Sequence, residues 1–223
     1  TPQSMAVSDS LIIEWPGAIW FGKQKIKVGT FASCELKHGI TSSSNKVEVD
    51  GQKVLMMKEP FKIELKDSLS RQVSVKGKWL KSTGYWSEDS NFLSNLLNID
   101  IQSETYSPDP TDLAILSAEI QFSEKPGEVW ELKMKRIQST GVILQELDAF
   151  LSDGARIILI EGPIEFGSIE DQGAGRETSY YSFVEDGIVL ARVNLSVKHI
   201  AFAKQTPTIS RSLLLAAAIS LAN

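Results

Sequence analysis

Residues 206–223 read TPTISRSLLLAAAISLAN, and where this run is buried decides what kind of fold the chain can have. Leu and Ala favour helix strongly, and Pro207 followed by Thr208 suits a helix start. Wound as a helix, Leu213, Leu214, Leu215, Ala216, Ala217, Ala218 and Ile219 leave no polar face. A helix that is apolar on every side has to be buried on every side. A bilayer span needs about 20 apolar residues, and residues 213–222 fall far short and include Ser220. Two burial sites remain. The helix lies across the base of its own domain, or it docks as an arm on a neighbour. The second makes Ile209, Leu213, Leu214, Leu215, Ile219 and Leu221 a candidate subunit interface.

The body of the chain speaks in period two. Phe61, Ile63 and Leu65 alternate with Lys62, Glu64 and Lys66, and Val73, Val75 and Trp79 oppose Gln72, Ser74, Lys76 and Lys78. Trp130, Leu132 and Met134 behave likewise, and the longest such run covers residues 188–199. Strands with one buried face and one wet face are the habit of antiparallel sheets. Asp50-Gly51, Lys125-Pro126-Gly127 and Glu185-Asp186-Gly187 mark short turns between neighbours. Two segments break the pattern toward helical spacing. One is 87–97, with Ser87 as N-cap and Phe92, Leu93, Leu96 and Leu97 as its stripe; the other is 142–151, with Ile143, Leu147, Phe150 and Leu151. The expected fold is all-β: an antiparallel, jelly-roll-like β-sandwich with two short internal helices and a C-terminal apolar segment. It forms a single domain over residues 1–223, with an N-terminal arm at 1–10 and a C-terminal arm or helix at 206–223.

Chemistry is thin. The net charge of −5 opposes nucleic acid in bulk while leaving room for a local basic patch on a sheet. Cys34 is the lone cysteine, which rules out an internal disulfide, and the two histidines give no zinc pattern. Cys34 and His38 share a strand face but lie about 13 Å apart on an extended chain, too far for a catalytic pair. Asp109, Asp112, Glu170 and Asp171 are the candidates for an oxygen-only cation site. The glycine loop around Gly173 and Gly175 has acidic neighbours and lacks a P-loop Lys, so it reads as a surface loop. Asn194-Leu195-Ser196 fits a glycosylation sequon, and Tyr85, Trp86, Tyr180 and Tyr181 are candidate stacking residues for sugars or bases. No enzyme, cofactor or metal is expected.

In order, residues 61–66, 72–79, 87–97, 114–122, 128–137, 142–151, 155–160, 180–184 and 188–199 run strand, strand, helix, strand, strand, helix and then strands. That order resembles the jelly-roll coat proteins of plant picorna-like viruses whose shells use several small subunits, secovirid or cheravirus-like. The resemblance covers roughly residues 60–205 and rests on element order. It implies a structural capsid subunit located in the virion, in homo- or hetero-oligomeric contact with other coat subunits. Weak contact with genome RNA on an inner face would follow, with no transmembrane segment. A Thr at position 1 would suit a chain cut from a polyprotein. The alternatives are a lectin-like ligand-binding sandwich and a matrix or movement-type protein.

Overall fold

The computed structural model describes residues 7–14, 23–49, 52–84, 111–139, 142–165, 179–195 and 197–223. They hold β1 (Val7–Glu14), β2 (Lys23–Val28), β3 (Ala32–His38), β4 (Ser42–Val49), β5 (Gln52–Asp67), β6 (Gln72–Gly84) and β7 (Thr111–Phe122). There follow β8 (Val129–Ser139), β9 (Val142–Ser152), β10 (Ile157–Glu165), β11 (Ser179–Glu185), β12 (Ile188–Asn194), β13 (His199–Ala203) and the helix α1 (Thr208–Ala222). The strands form one antiparallel sheet in the order β3-β2-β1-β13-β12-β11-β10-β9-β8-β7-β6-β5-β4, and β3 also pairs with β5. That extra pairing, from Ala32 opposite Asp67 to His38 opposite Phe61, joins the ends of the sheet. β3 covers residues 61–67 of β5 and β4 covers 52–58, so the two act as one interrupted strand along a single edge. The break is held by Gly39 N–H donating to Pro60 O at 2.7 Å.

The product is a closed barrel of twelve strands, which overturns the jelly-roll sandwich. A sandwich needs two sheets and connections that cross between them. Here each strand from β5 to β13 bonds to its neighbours in sequence, and β1 bonds to β13 to complete the ring. Period two reports one buried face, and a sandwich and a barrel write the same alternation.

One of the two internal helices is corrected as well. Residues 142–151 belong to β9, paired with β8 and β10. The β8–β9 register shifts between Lys133 and Lys135 and again between Ile137 and Gln138. Each bulge inserts one residue and flips the parity, which imitates helical spacing. The other segment, 87–97, lies outside the described residues. The long run 188–199 is two strands, broken at a turn where Asn194 Oδ1 accepts Val197 N–H at 3.0 Å.

Inward side chains from around the ring join α1 in one core that includes Ile26, Leu36, Ile63, Leu116, Trp130, Leu132, Phe183 and Phe202. Twelve strands about 4.8 Å apart, tilted by about 40°, enclose a radius of roughly 12 Å. A helix with its side chains takes up about 5–6 Å of that radius, and the inward side chains fill the rest. The helix touches β5, β6 and β7 on one wall and β13 on the other, and β7 and β13 stand six places apart in the ring. It therefore runs through the lumen. Gly77 is needed on the inner face, because a Cβ there would sit 2.4 Å from the Phe61 ring.

A polar latch holds the mouth through which α1 enters. Asp67, buried at the end of β5, accepts Ser212 Oγ–H at 2.8 Å and Arg71 Nε–H at 2.7 Å. It also accepts the Leu69 and Arg71 backbone N–H groups, while Arg71 Nη2 donates to Thr208 O at 3.1 Å. Arg211 pairs with Asp9, donates to Thr206 O at 3.1 Å and lies over the Phe202 ring. Burial pushes the Asp67 carboxyl up, but the bonds from Ser212 and Arg71 outweigh it and hold the group below the ordinary range. An unfolded Asp titrates near 3.9. The stabilisation from Asp67 is therefore in place above about pH 4 and is lost as pH falls through the lower folded value. Asp67→Ala strands a largely buried guanidinium and should cost about 3 kcal/mol, read as a lower urea midpoint at pH 7; that deficit should shrink below pH 4.

Candidate functional site

The interface residues expected from the sequence are inside the barrel. Leu213, Leu214, Leu215, Ile219 and Leu221 are 0–3% exposed within the chain itself, and Ile209 in the first turn is 36% exposed. Their apolar surface is covered by the chain's own strands.

Cys34 points into the core, and burial pushes its thiol up to about 12. It stays protonated and un-nucleophilic at neutral pH. In native protein, Cys34 should resist iodoacetamide and react only in denaturant; alkylation at the native rate of a free thiol would contradict the burial. His38 is half-buried on the same strand, and His199 Nε2 meets Ser10 Oγ across the β1–β13 seam. No group of three or more His, Cys, Asp or Glu suited to a metal occurs among the described residues. Asp109, Glu170, Asp171, Gly173, Gly175, Tyr85 and Trp86 lie outside the described residues, while Asp112 sits on β7 opposite Thr83 and Gln138. Asn194 is buried at 1% exposure, and its carbonyl caps the turn, so the sequon is unavailable to a glycan. Tyr181 is core and Tyr180 half-buried.

Sequence reasoning missed a feature assembled by strand register. On the outer wall, Lys23 lies opposite Lys37, Lys37 opposite Lys62, and Lys62 opposite Lys76, a row of four lysines across β2, β3, β5 and β6. The next outward row, two residues further along the strands, is Lys25, Glu35, Glu64 and Ser74, and the one after it holds Lys27, Ser33, Lys66 and Gln72. With Lys58 and Lys78, these four strands turn nine lysines and only Glu35 and Glu64 outward, on a chain whose net charge is −5. Past Lys76 the first row meets Glu119 and then Glu131, which end the positive belt.

Like charges directly opposite each other destabilise a sheet, and three such pairs follow in succession here. Glu35 offsets part of this, bridging Lys23 and Lys37 at 3.1 Å each, and Glu64 reaches Lys62 at 2.5 Å. Hydrogen bonds from Lys23 and then Lys37 hold the Glu35 carboxyl below its ordinary value. Lys25, Lys27, Lys66, Lys76 and Lys78 have no carboxylate partner among the described residues. The belt can do one thing chemically: present mobile ammonium groups to an extended anion. A wall so charged also cannot be a lipid-facing band, and no helix among the described residues is long and apolar enough to cross a membrane.

No family model, curated protein or solved structure compared with the chain matches it. The coat-protein reading fails on these grounds and on the barrel topology, which is not that of a jelly-roll subunit.

Proposed function

We propose that the protein is a non-catalytic binding protein that holds the phosphate backbone of a nucleic acid against the lysine face of β2, β3, β5 and β6. The row Lys23–Lys37–Lys62–Lys76 carries this reading. Four ammonium groups abreast cost the sheet stability, and local rules of this kind are broken where function requires it. The face offers lysine alone, a point charge with no planar fork. The other outward residues in these rows are Ser33, Glu35, Glu64, Gln72 and Ser74 and include no aromatic ring. That chemistry reads backbone charge and ignores base sequence.

Fluorescence anisotropy with labelled mixed-sequence oligonucleotides, single-stranded and duplex, tests the proposal at 50 mM salt. Binding should be indifferent to sequence and weaken with salt. About four neutralised phosphates on a single strand give a slope near −3 in log K against log salt. No binding to either oligonucleotide at 50 mM salt would sink it.

A further inference from the structure

Resting on that reading, we infer that the belt selects a flexible single strand wrapped around the barrel, and that Glu35 acts as a built-in competitor for it. The inference comes from the shape of the wall. In a ring of twelve, each strand turns about 30° from the last, so the row from Lys23 to Lys76 fans through roughly a quarter circle. A flat or stiff anionic surface meets such a fan along one line and leaves the outer lysines unused. Duplex DNA, with a persistence length of about 50 nm, does not bend around a radius near 12 Å. A single strand does, and it follows the row until Glu119 and Glu131 stop it. The belt is short, so the footprint should be about 4–8 nucleotides, toward the small end of single-strand sites.

Glu35 already occupies two ammonium groups at the β2–β3 end of the row, contacting Lys23 and Lys37 at 3.1 Å each. An incoming phosphate has to displace that carboxylate. Removing the negative charge therefore frees two lysines at once, and Glu35→Gln should bind more tightly than the parent chain.

Charge alone favours duplex, whose phosphates are denser, so a preference for single strands is a sharp test of shape. A 12-nucleotide single strand, the matching 12-base-pair duplex and vesicles containing phosphatidylserine are compared at 50 mM salt with the full chain. The single strand should bind at least tenfold tighter than the duplex, with vesicles weaker still. Affinity should level off within about 8 nucleotides, and Glu35→Gln should raise single-strand affinity about threefold with the thermal midpoint unchanged. Duplex or vesicle binding equal to or tighter than the single strand overturns the wrapped geometry while leaving the lysine face as the binding site. An unchanged or lower affinity in Glu35→Gln overturns the competitor role. Failure of every ligand to bind overturns the proposed function itself.

Discussion

Deleting residues 208–223 is expected to leave a chain that does not fold. Five large aliphatic side chains of α1, from Leu213 to Leu221, are at most 3% exposed inside the barrel. Burying each stabilises by about 1.5–3 kcal/mol, so the helix contributes on the order of 10 kcal/mol. That equals the whole net stability of a typical domain, about 5–15 kcal/mol. The lumen it leaves behind cannot close, because the wall is fixed by twelve paired strands. Circular dichroism and the urea midpoint of the truncated chain read the outcome, and a cooperative, native-like transition would show that α1 is dispensable. The point substitution Leu214→Asp tests the same lumen without shortening the chain. It sets an unpaired carboxylate at a fully buried position and should cost at least about 4 kcal/mol.

The second large effect lies on the outside. Reversing three charges of the row, K37E/K62E/K76E, replaces attraction by repulsion at the centre of the belt and should weaken oligonucleotide binding by a hundredfold or more at 50 mM salt. The thermal midpoint should fall modestly, because the reversed side chains still oppose like charges across the strands, the last of them against Glu119, and the bridges from Lys37 to Glu35 and from Lys62 to Glu64 are lost. Loss of binding together with loss of fold would not count in favour of the lysine face, which is why the melt belongs to the measurement. A control triple on the opposite side of the ring, at Glu161 of β10 and at Glu185 and Asp186 where β11 turns into β12, alters charge without touching the row. If the lysine reversal binds as well as the parent chain, the nucleic-acid reading is wrong.

Much of the wall is legible in the chain. Phe61, Ile63 and Leu65, or Trp130, Leu132 and Met134, announce inward faces, and those six residues are indeed core. Asp186 and Gly187, both at positive φ, form the two-residue turn between β11 and β12 that their residue types suggest. Closure is not legible. It rests on Ala32–Asp67, Val7–Ala203 and their neighbours, pairings between residues far apart in sequence that no local pattern encodes. The lysine row fails to show for the same reason. Lys23, Lys37, Lys62 and Lys76 look like ordinary polar partners within their own strands, and only the register sets them abreast. In β9, bulges altered the parity and turned a strand into an apparent helix. The apolar tail announced that it needed enclosure on all sides, but a sandwich offers a terminal helix no such place, and a barrel does.

The seam between β1 and β13 also sets a clock. The first described strand hydrogen-bonds to the last, and the helix that fills the lumen comes later still. While the chain is being made, eleven strands can pair locally as a curved, unsealed sheet with two bare edges and a wet apolar face. Contacts of such long sequence separation fold slowly, and open edges invite pairing with other chains. The vulnerable moment in this protein's life is therefore birth, before residues 199–223 arrive. Slow refolding that ends in one late step, seen as Trp79, buried on the β6 strand that α1 touches, becoming shielded only when the helix docks, is the kinetic mark such an architecture should leave.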